Sequence, residues 1–232
     1  MKTAIMQPYI FPYIGYFQLI DSVDTFVVYD DVNYIKKGWV NRNNILVNGE
    51  SHLFSISLKD VSQNKLINEI NVDSDLKWKN DLLKTIALSY KKAPFFSQVF
   101  PLIEAIILYE ENNLAKFLTH SLRKICSYLA IETNIVVSSE IEKNNDLKAQ
   151  DKIIEICEKL NTTQYTNAIG GIELYEKQVF TNHNIALQFI KSNPIKYTQF
   201  KNEFIPWLSI VDVMMFNPPA AIKAMLANYE LL

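Results

Sequence analysis

Cysteine, histidine and concentrated positive charge are scarce in this 232-residue chain. The two cysteines, Cys126 and Cys157, lie in segments with a helical apolar pattern, so we expect buried free thiols and no disulfide. The three histidines, His52, His120 and His183, are far apart and have no metal-ligand spacing, so we expect no metal site. A net charge of -2 without a basic block provides no cationic surface for DNA.

Long apolar runs are also missing. The stretch from Pro101 to Leu108 is far shorter than the roughly 18 or more residues of a membrane-spanning helix. The first residues have no charged segment followed by an apolar core, so we expect no signal peptide and a cytoplasmic protein. A composition of 49% hydrophobic and 21% charged residues is typical of a folded chain, which we interpret as one domain over residues 1–232.

Alternating apolar strands and amphipathic helices predict an α/β fold, Rossmann-like, with a mostly parallel sheet and flanking helices. The chain opens with a strand at Lys2–Met6, a proline-rich loop, a helix at Gly15–Ile20 and a strand at Thr25–Tyr29. Asn48-Gly49 predicts a β-hairpin, and a helical section covers about residues 76–130. Beyond it we predict strands at 134–138, 164–166 and 185–190, and helices at 149–160, 172–179, 206–216 and 219–231.

Polar and aromatic side chains follow the first two predicted strands. Gln7, Tyr9 and Tyr16 come after the first strand, and Asp30-Asp31 after the second. Ligands of open α/β sheets bind in the crevice outside the carboxyl ends of the strands. We therefore expect these side chains to form one pocket.

Asp30 and Asp31 are the predicted catalytic residues. Neighbouring side chains of an extended chain point to opposite faces, so one carboxylate is expected to face the pocket while the other pairs with Arg42 or caps a turn. A carboxylate in the pocket would orient or deprotonate an amine or hydroxyl. The alternative is a purely structural turn and salt bridge.

The segment from Trp39 to Asn43 combines an aromatic ring, amides and a planar cation. Arg42 offers bidentate recognition of phosphate or carboxylate, and Trp39 can stack on a sugar or base. Asn41 and Asn43 would fix polar groups of a ligand such as a sugar nucleotide. A structural network at the base of the hairpin is the alternative.

The other candidate binding residues lie late in the chain. Gly170-Gly171 separate a predicted strand from a helix, where backbone N–H groups can hold an anion, although a tight turn would use the same residues. Ser209 and Asp212 share one helix face, and helix capping by Ser209 is the favoured reading. Asn217 is a helix end or a ligand contact.

Five blocks together resemble the WbqC-like protein family: QPYIFPYIGYFQLI, DTFVVYDDVNY, KKGWVNRNNI, YTNAIGGIELY and LSIVDVMMFN. The resemblance spans nearly the whole chain and implies a role in surface (O-antigen) polysaccharide biosynthesis. It implies an acyl or aminoacyl transferase, such as a glycyl transferase, acting on a sugar or sugar nucleotide. Some family members have His before Gln-Pro, where this chain has Met6.

We therefore expect a sugar-modifying transferase, with a non-catalytic sugar-nucleotide-binding or assembly protein of the same pathway as the alternative. The activated donor stays open between a coenzyme A thioester, a carrier-protein thioester, an aminoacyl-tRNA and an amino acid with ATP. A carrier protein or other glycan enzymes are the candidate partners.

Overall fold

A computed structural model describes residues 1–201 and 203–232 of the chain. The six strands of its main sheet are β1 (Lys2–Met6), β2 (Thr25–Val28), β7 (Asn134–Val137), β8 (Gln164–Ala168), β9 (Ala186–Ser192) and β10 (Tyr229–Leu231). They lie in the order β10-β9-β8-β1-β2-β7, and all of them except β10 run parallel to one another. The α/β fold with a mostly parallel sheet is confirmed.

The strand order reverses between β1 and β8. From β1 the chain moves outward to β2 and β7, then returns to the other side of β1 and moves outward through β8 and β9. Such a switch point leaves a crevice at the carboxyl ends of the two central strands, because the connecting helices diverge to opposite faces.

The pleat of the strands separates two apolar cores. Ala4, Phe26 and Val28 face the larger core, while Ile5 and Val27 face the smaller one on the opposite side of the sheet. Helix α1 (Ile14–Asp21) packs in the larger core, and α5 (Ala149–Lys159) and α6 (Lys177–Asn182) pack in the smaller one. The alternation of buried side chains along β1 and β2 therefore covers both faces of the sheet with helices.

The predicted hairpin and helical section lie between β2 and β7. Strands β3 (Arg42–Val47) and β4 (Glu50–Ser55) are joined by Asn48 and Gly49, which both have positive φ angles. Short strands β5 (Leu58–Lys59) and β6 (Asn71–Val72) follow, with a 3₁₀ turn at Ile67–Glu69 between them. The helices of the section are α2 (Leu76–Tyr90), α3 (Phe96–Ile107) and α4 (Leu114–Tyr128). No helix among the described residues has the length and apolar character needed to cross a membrane.

The C-terminal elements differ from the expected ones. Helix α7 (Ile210–Phe216) begins four residues later than predicted, because Trp207 has a φ of 62° and Ser209 caps the helix. After α8 (Pro219–Leu226) the chain forms β10, which pairs antiparallel with β9 where the prediction had continued the helix. This edge strand closes one side of the sheet.

Candidate functional site

A cavity of roughly 670 Å³ lies at the switch point of the sheet. Met6 and Gln7 border it at the end of β1, Asn167 to Gly171 at the end of β8 and in the turn that follows, and Ile190 to Ser192 at the end of β9. Its aromatic lining residues are Tyr9, Tyr13, Tyr16, Tyr29, Tyr175 and Trp207. We call it the aromatic cavity, and its position and size are those of ligand sites in open α/β folds.

The first wall of the aromatic cavity is the loop between β1 and α1. The hydroxyl of Tyr16 donates a hydrogen bond to the carbonyl of Gln7 at 2.8 Å. The ring of Tyr13 lies directly on Gly15, since a Cβ atom there would be only 2.3 Å from the ring. Helix α1 starts after Tyr13 without a side-chain cap, and Gly15 and Tyr16 of its first turn line the cavity.

The opposite wall is the turn after β8, which the structure forms as a 3₁₀ helix over Ile169–Leu174. A Cβ atom on Gly171 would be 2.7 Å from the amide nitrogen of Asn167, so a larger residue there would force the Asn167 side chain to move. A Cβ atom on Gly170 would meet no heavy atom within 4 Å. Gly170 therefore leaves an uncovered stretch of main chain at the cavity.

The tyrosines of the aromatic cavity are neutral hydrogen-bonding groups. Burial raises the pKa of Tyr9, Tyr13, Tyr16 and Tyr175 above the ordinary tyrosine value. Burial raises the pKa of Tyr29 as well, with a further contribution from the nearby negative charge of Asp31. Their hydroxyl groups can donate and accept hydrogen bonds at neutral pH, and their rings offer apolar faces to a ligand.

Asp30 lines a different cavity, of roughly 420 Å³, at the carboxyl ends of β2 and β7. Its carboxylate accepts hydrogen bonds from the backbone N–H and the hydroxyl of Ser139 at 3.0 and 2.6 Å, and from the amide of Asn68 at 3.3 Å. The charged groups and the histidine at this cavity are Asp30, Glu111, Lys116, His120, Arg123 and Glu140. We call it the charged cavity.

Asp31 is buried in an ion-pair cluster. Its carboxylate lies 2.8 Å from the ammonium group of Lys143 and 3.0 Å from that of Lys152, and all three side chains are almost fully buried. Burial alone would raise the pKa of Asp31, but the hydrogen bonds and charge of the two lysines hold it below its usual range. The prediction that one aspartate forms an ion pair therefore holds with a different partner, since Arg42 does not take part.

The segment from Trp39 to Asn43 forms an internal network at the hairpin. Arg42 donates hydrogen bonds to the carbonyls of Gly38 and Lys37, and its guanidinium lies 5.7 Å from the ring centre of Trp39. Asn43 donates to the carbonyls of Ile10 and Phe11 at 3.2 and 2.8 Å. Asn41 accepts from the hydroxyl of Tyr34 and donates to the carbonyl of Ile56. Through Asn43 the segment holds the loop that forms a wall of the aromatic cavity.

The late polar residues are also engaged within the fold. Ser209 caps α7 by accepting a hydrogen bond from the N–H of Val211, as favoured from the sequence. Asn217 ends the helix by donating to the carbonyl of Val213. Asp212 accepts hydrogen bonds from Tyr90, Tyr197 and Gln199, and burial raises its pKa although these bonds oppose the shift.

The structure thus brings together part of the predicted set. Gln7, Tyr9, Tyr16 and Gly170-Gly171 line one cavity, but the single pocket expected to include the acidic pair and Trp39–Arg42 is not formed by the described residues. The side chains that the sequence interpretation missed at the aromatic cavity are Tyr13, Tyr29, Asn167, Tyr175, Lys191 and Trp207. Asn167 and Lys191 lie at predicted strand ends, so the same crevice rule applied to every strand would have found them.

Comparison with known proteins agrees with the five sequence blocks. The WbqC-like protein family matches residues 7–224. The chain belongs to the WbqC-like protein family. It is 27% identical over 219 residues to the uncharacterised protein Rv1507c of Mycobacterium tuberculosis, covering 93% of each chain. No solved structure matches the chain.

Met6, the residue before Gln7, borders the aromatic cavity. A thioether cannot take up a proton at neutral pH. The described residues that line the aromatic cavity include no aspartate, glutamate or histidine.

Proposed function

We propose that this WbqC-like protein binds a sugar or sugar nucleotide in the aromatic cavity and transfers an acyl or aminoacyl group to it. The proposed setting is cytoplasmic synthesis of surface polysaccharide. The observation that carries the proposal is the aromatic cavity itself, placed at the strand-order reversal between β1 and β8. This is the place where doubly wound sheets bind nucleotides and related ligands.

The lining of the aromatic cavity suits a flat or ring-shaped polar ligand. Rings of Tyr9 and Tyr16 lie 5.5 Å apart between centroids at the inner wall, and Trp207 forms the outer rim. Aromatic faces stack on sugars and bases, while the neutral hydroxyls satisfy ligand hydroxyl groups. A ligand with both an apolar ring face and many hydroxyl groups fits this combination.

Three features of the cavity lining suit an anionic group. Lys191 lies at the end of β9, Gly170 leaves the main chain uncovered, and α1 begins nearby without a side-chain cap. A cation, open backbone N–H groups and a helix N-terminus all favour phosphate. A nucleoside diphosphate sugar supplies such a group beside its rings.

The proposed reaction proceeds by holding the acceptor against the donor. An uncharged sugar amine attacks an activated carbonyl without a strong base, so orientation supplies most of the rate. A catalytic role of Asp30 or Asp31 stays a prediction. Neither carboxylate borders the aromatic cavity, and Asp31 forms ion pairs with two lysines, so the proposed reaction does not depend on that role.

A second candidate function is non-catalytic binding of a sugar nucleotide within the same pathway. The absence of aspartate, glutamate and histidine from the described lining of the aromatic cavity favours it. Both candidates require the same ligand in the same cavity. They differ in whether a product forms.

Calorimetric titration with UDP-glucosamine and UDP-glucose tests the shared requirement. We expect binding that is weakened by Tyr9→Ala and unaffected by His52→Ala, which changes a residue of the distant hairpin strand β4. Equal affinities for both variants, or no binding to the unchanged protein, would contradict the proposal. Mass spectrometry of UDP-glucosamine after incubation with acyl donors then separates the two candidates, since only a transferase increases the mass of the sugar.

A further inference from the structure

Trp207 has an unusual setting for a tryptophan. Its side chain is 73% exposed, and its backbone φ of 62° lies in the left-handed region that large side chains disfavour. Backbone strain and exposed aromatic surface are found together at functional sites, where the surrounding structure holds the strained residue in place. Trp207 therefore has the features of a residue that contacts a ligand.

The backbone on both sides of Trp207 is held by hydrogen bonds. On one side, Gln199 bonds both the N–H and the carbonyl of Ile205, and it also donates to the buried carboxylate of Asp212. On the other side, the N–H of Ser209 donates to the carbonyl of Asn44 at 2.8 Å. The indole is thus presented on a fixed support, and Asp212 is a positioning residue for this support.

Trp207 stands between two cavities. One is the aromatic cavity, and the other is a cavity of roughly 370 Å³ bordered mainly by residues 193–197 and 206–208, which we call the loop cavity. Tyr13, Ser192 and Trp207 border both, and the rings of Tyr13 and Trp207 are 6.1 Å apart between centroids. A ligand in one cavity would therefore lie beside a ligand in the other.

The loop cavity differs from the aromatic cavity in its chemistry. Its remaining walls are mainly apolar, with Pro194, Ile195, Pro206, Leu208 and Val213 among them. Lys196, an exposed residue, is the cation at this cavity. Such a lining suits a narrow, weakly polar chain that ends in an anionic group near the protein surface.

From this juxtaposition we propose that the loop cavity is the donor subsite and takes the acyl-pantetheine arm of a thioester, with its phosphate near Lys196. The inference rests on the proposed function and specifies the chemical class of its activated donor. A transferase must hold donor and acceptor in contact, and the shared border at Tyr13, Ser192 and Trp207 provides that contact. An aminoacyl-tRNA fits less well, because a chain with a net charge of -2 offers no broad cationic surface for RNA.

The step balances without a further reactant. The sugar amine attacks the thioester carbonyl, a C–N bond forms, and the C–S bond breaks. The proton released by the amine ends on the departing sulfur, which leaves as a thiol. No oxidant or reductant takes part.

Two matched variants separate the cavities. Ile195 borders only the loop cavity of the pair, and Leu174 borders only the aromatic cavity. We expect Ile195→Asp to weaken binding of acetyl-coenzyme A by about tenfold or more while leaving UDP-glucosamine affinity unchanged, because a carboxylate in an apolar wall repels the donor arm. Leu174→Asp should do the reverse, and Leu76→Asp, on the exposed start of α2, should affect neither ligand.

Separate calorimetric titrations measure these affinities, one with UDP-glucosamine alone and the others with acetyl-coenzyme A, acetyl-pantetheine phosphate or an acetylated carrier protein alone. Binding of any of the three that is lost in Ile195→Asp supports the donor subsite and identifies the source of the arm. Binding of none, or binding that Ile195→Asp leaves intact, overturns it. Failure of UDP-glucosamine alone to bind would instead contradict the proposed function.

Discussion

The aromatic cavity and the charged cavity lie along the same edge of the same parallel sheet, yet they have opposite chemistry. The aromatic cavity follows β1, β8 and β9 and has tyrosines, glycines and one lysine among its lining residues. The charged cavity follows β2 and β7 and is bordered by carboxylates, basic side chains and a histidine. Residue types that suggest acid–base catalysis are thus concentrated away from the strand-order reversal. In this protein the residue types favour the charged cavity as the functional site, whereas the position in the sheet favours the aromatic cavity.

The segment after β2 shows how the two regions separate. Tyr29 borders the aromatic cavity, and Asp30 borders the charged cavity. The carboxylate of Asp31 forms ion pairs with Lys143 and Lys152. Alternation of side chains in an extended segment sends neighbours to opposite sides. Three consecutive polar residues therefore serve three different environments.

Side chains of the charged cavity are also held more firmly by contacts with neighbouring residues. Asp30 is held by Ser139 and Asn68, and the imidazole of His120 stacks on Tyr109 with ring centroids 3.7 Å apart. Burial lowers the pKa of His120, and the positive charges of Lys124 and Arg123 lower it further, so the imidazole is neutral at pH 7. In the aromatic cavity the hydroxyl of Tyr16 bonds the Gln7 carbonyl, whereas much of the remaining lining consists of open ring faces.

The largest expected effect separates Asp31 from Asp30. Asp31→Asn leaves two buried ammonium groups without a carboxylate, so it should lower the free energy of unfolding by about 3 to 5 kcal/mol. Asp30→Asn keeps an oxygen acceptor for Ser139 and should cost less. Urea denaturation of both variants measures the difference, and equal losses would show that the ion pairs do not distinguish the two aspartates.

The same ion pairs predict a pH dependence. Because the folded pKa of Asp31 is below the ordinary value of 3.8, its stabilising contribution is complete above that pH and is lost as the pH falls through the folded pKa. Unfolding curves between pH 5 and 2 should therefore fall more steeply for the unchanged protein than for Asp31→Asn. Parallel curves would contradict the assignment.

The next effect distinguishes Gly170 from Gly171 at the aromatic cavity. Gly171→Ala places a methyl group against Asn167, and overpacking of this kind costs about 1 to 3 kcal/mol of stability. Gly170→Ala meets no protein atom, so it should leave the melting temperature unchanged. If the ligand approaches the main chain there, Gly170→Ala should still weaken UDP-glucosamine binding. A melting temperature lowered equally by both changes would contradict the described turn.

A smaller effect compares two exposed tryptophans. Trp207→Ala should weaken UDP-glucosamine binding by about 0.5 to 1.5 kcal/mol through lost stacking, with little change in stability because the side chain is already in solvent. Trp39→Ala removes a tryptophan that lies beside Arg42 and outside the aromatic cavity, and it should leave the affinity as it was. Calorimetric titration of both variants shows which tryptophan contributes more to the affinity for UDP-glucosamine. The opposite ranking would favour the hairpin segment as the binding site.

The smallest effect is in the pH profile of binding. Since burial keeps the tyrosines of the aromatic cavity neutral beyond the ordinary pKa of 10.0, affinity for UDP-glucose should be flat from about pH 7 to 8.5, below the range in which the uracil ring of the ligand ionises. A ligand in the charged cavity would instead follow the protonation of His120 below pH 6.5. An affinity that rises in this acid range and is lost in His120→Ala would place the ligand in the charged cavity.

Sequence patterns predicted most of the fold because the patterns are local. The apolar run of β1, the Asn48-Gly49 turn and the amphipathic stripe of α4 each specify an element without distant contacts. The later start of α7 and the strand β10 depend on packing against other elements, which no local pattern encodes.

The site was predicted only in part for the same reason. Gln7, Tyr9 and Gly170 follow strands that meet at the strand-order reversal, so their position could be inferred. The ion-pair partners of Asp31 are Lys143 and Lys152, which are more than 100 residues away in the sequence. No pattern near Asp31 in the sequence identifies them. Trp207 was not predicted to line a site, because its segment was predicted to be part of a helix.

A crystal structure of the complex with UDP-glucosamine tests the central claim most directly. The account predicts the sugar nucleotide between Gly170 and Trp207, with its rings on the tyrosines and its phosphates toward Lys191. A ligand bound among Asp30, His120 and Arg123, with the crevice between β1 and β8 left open, would contradict it.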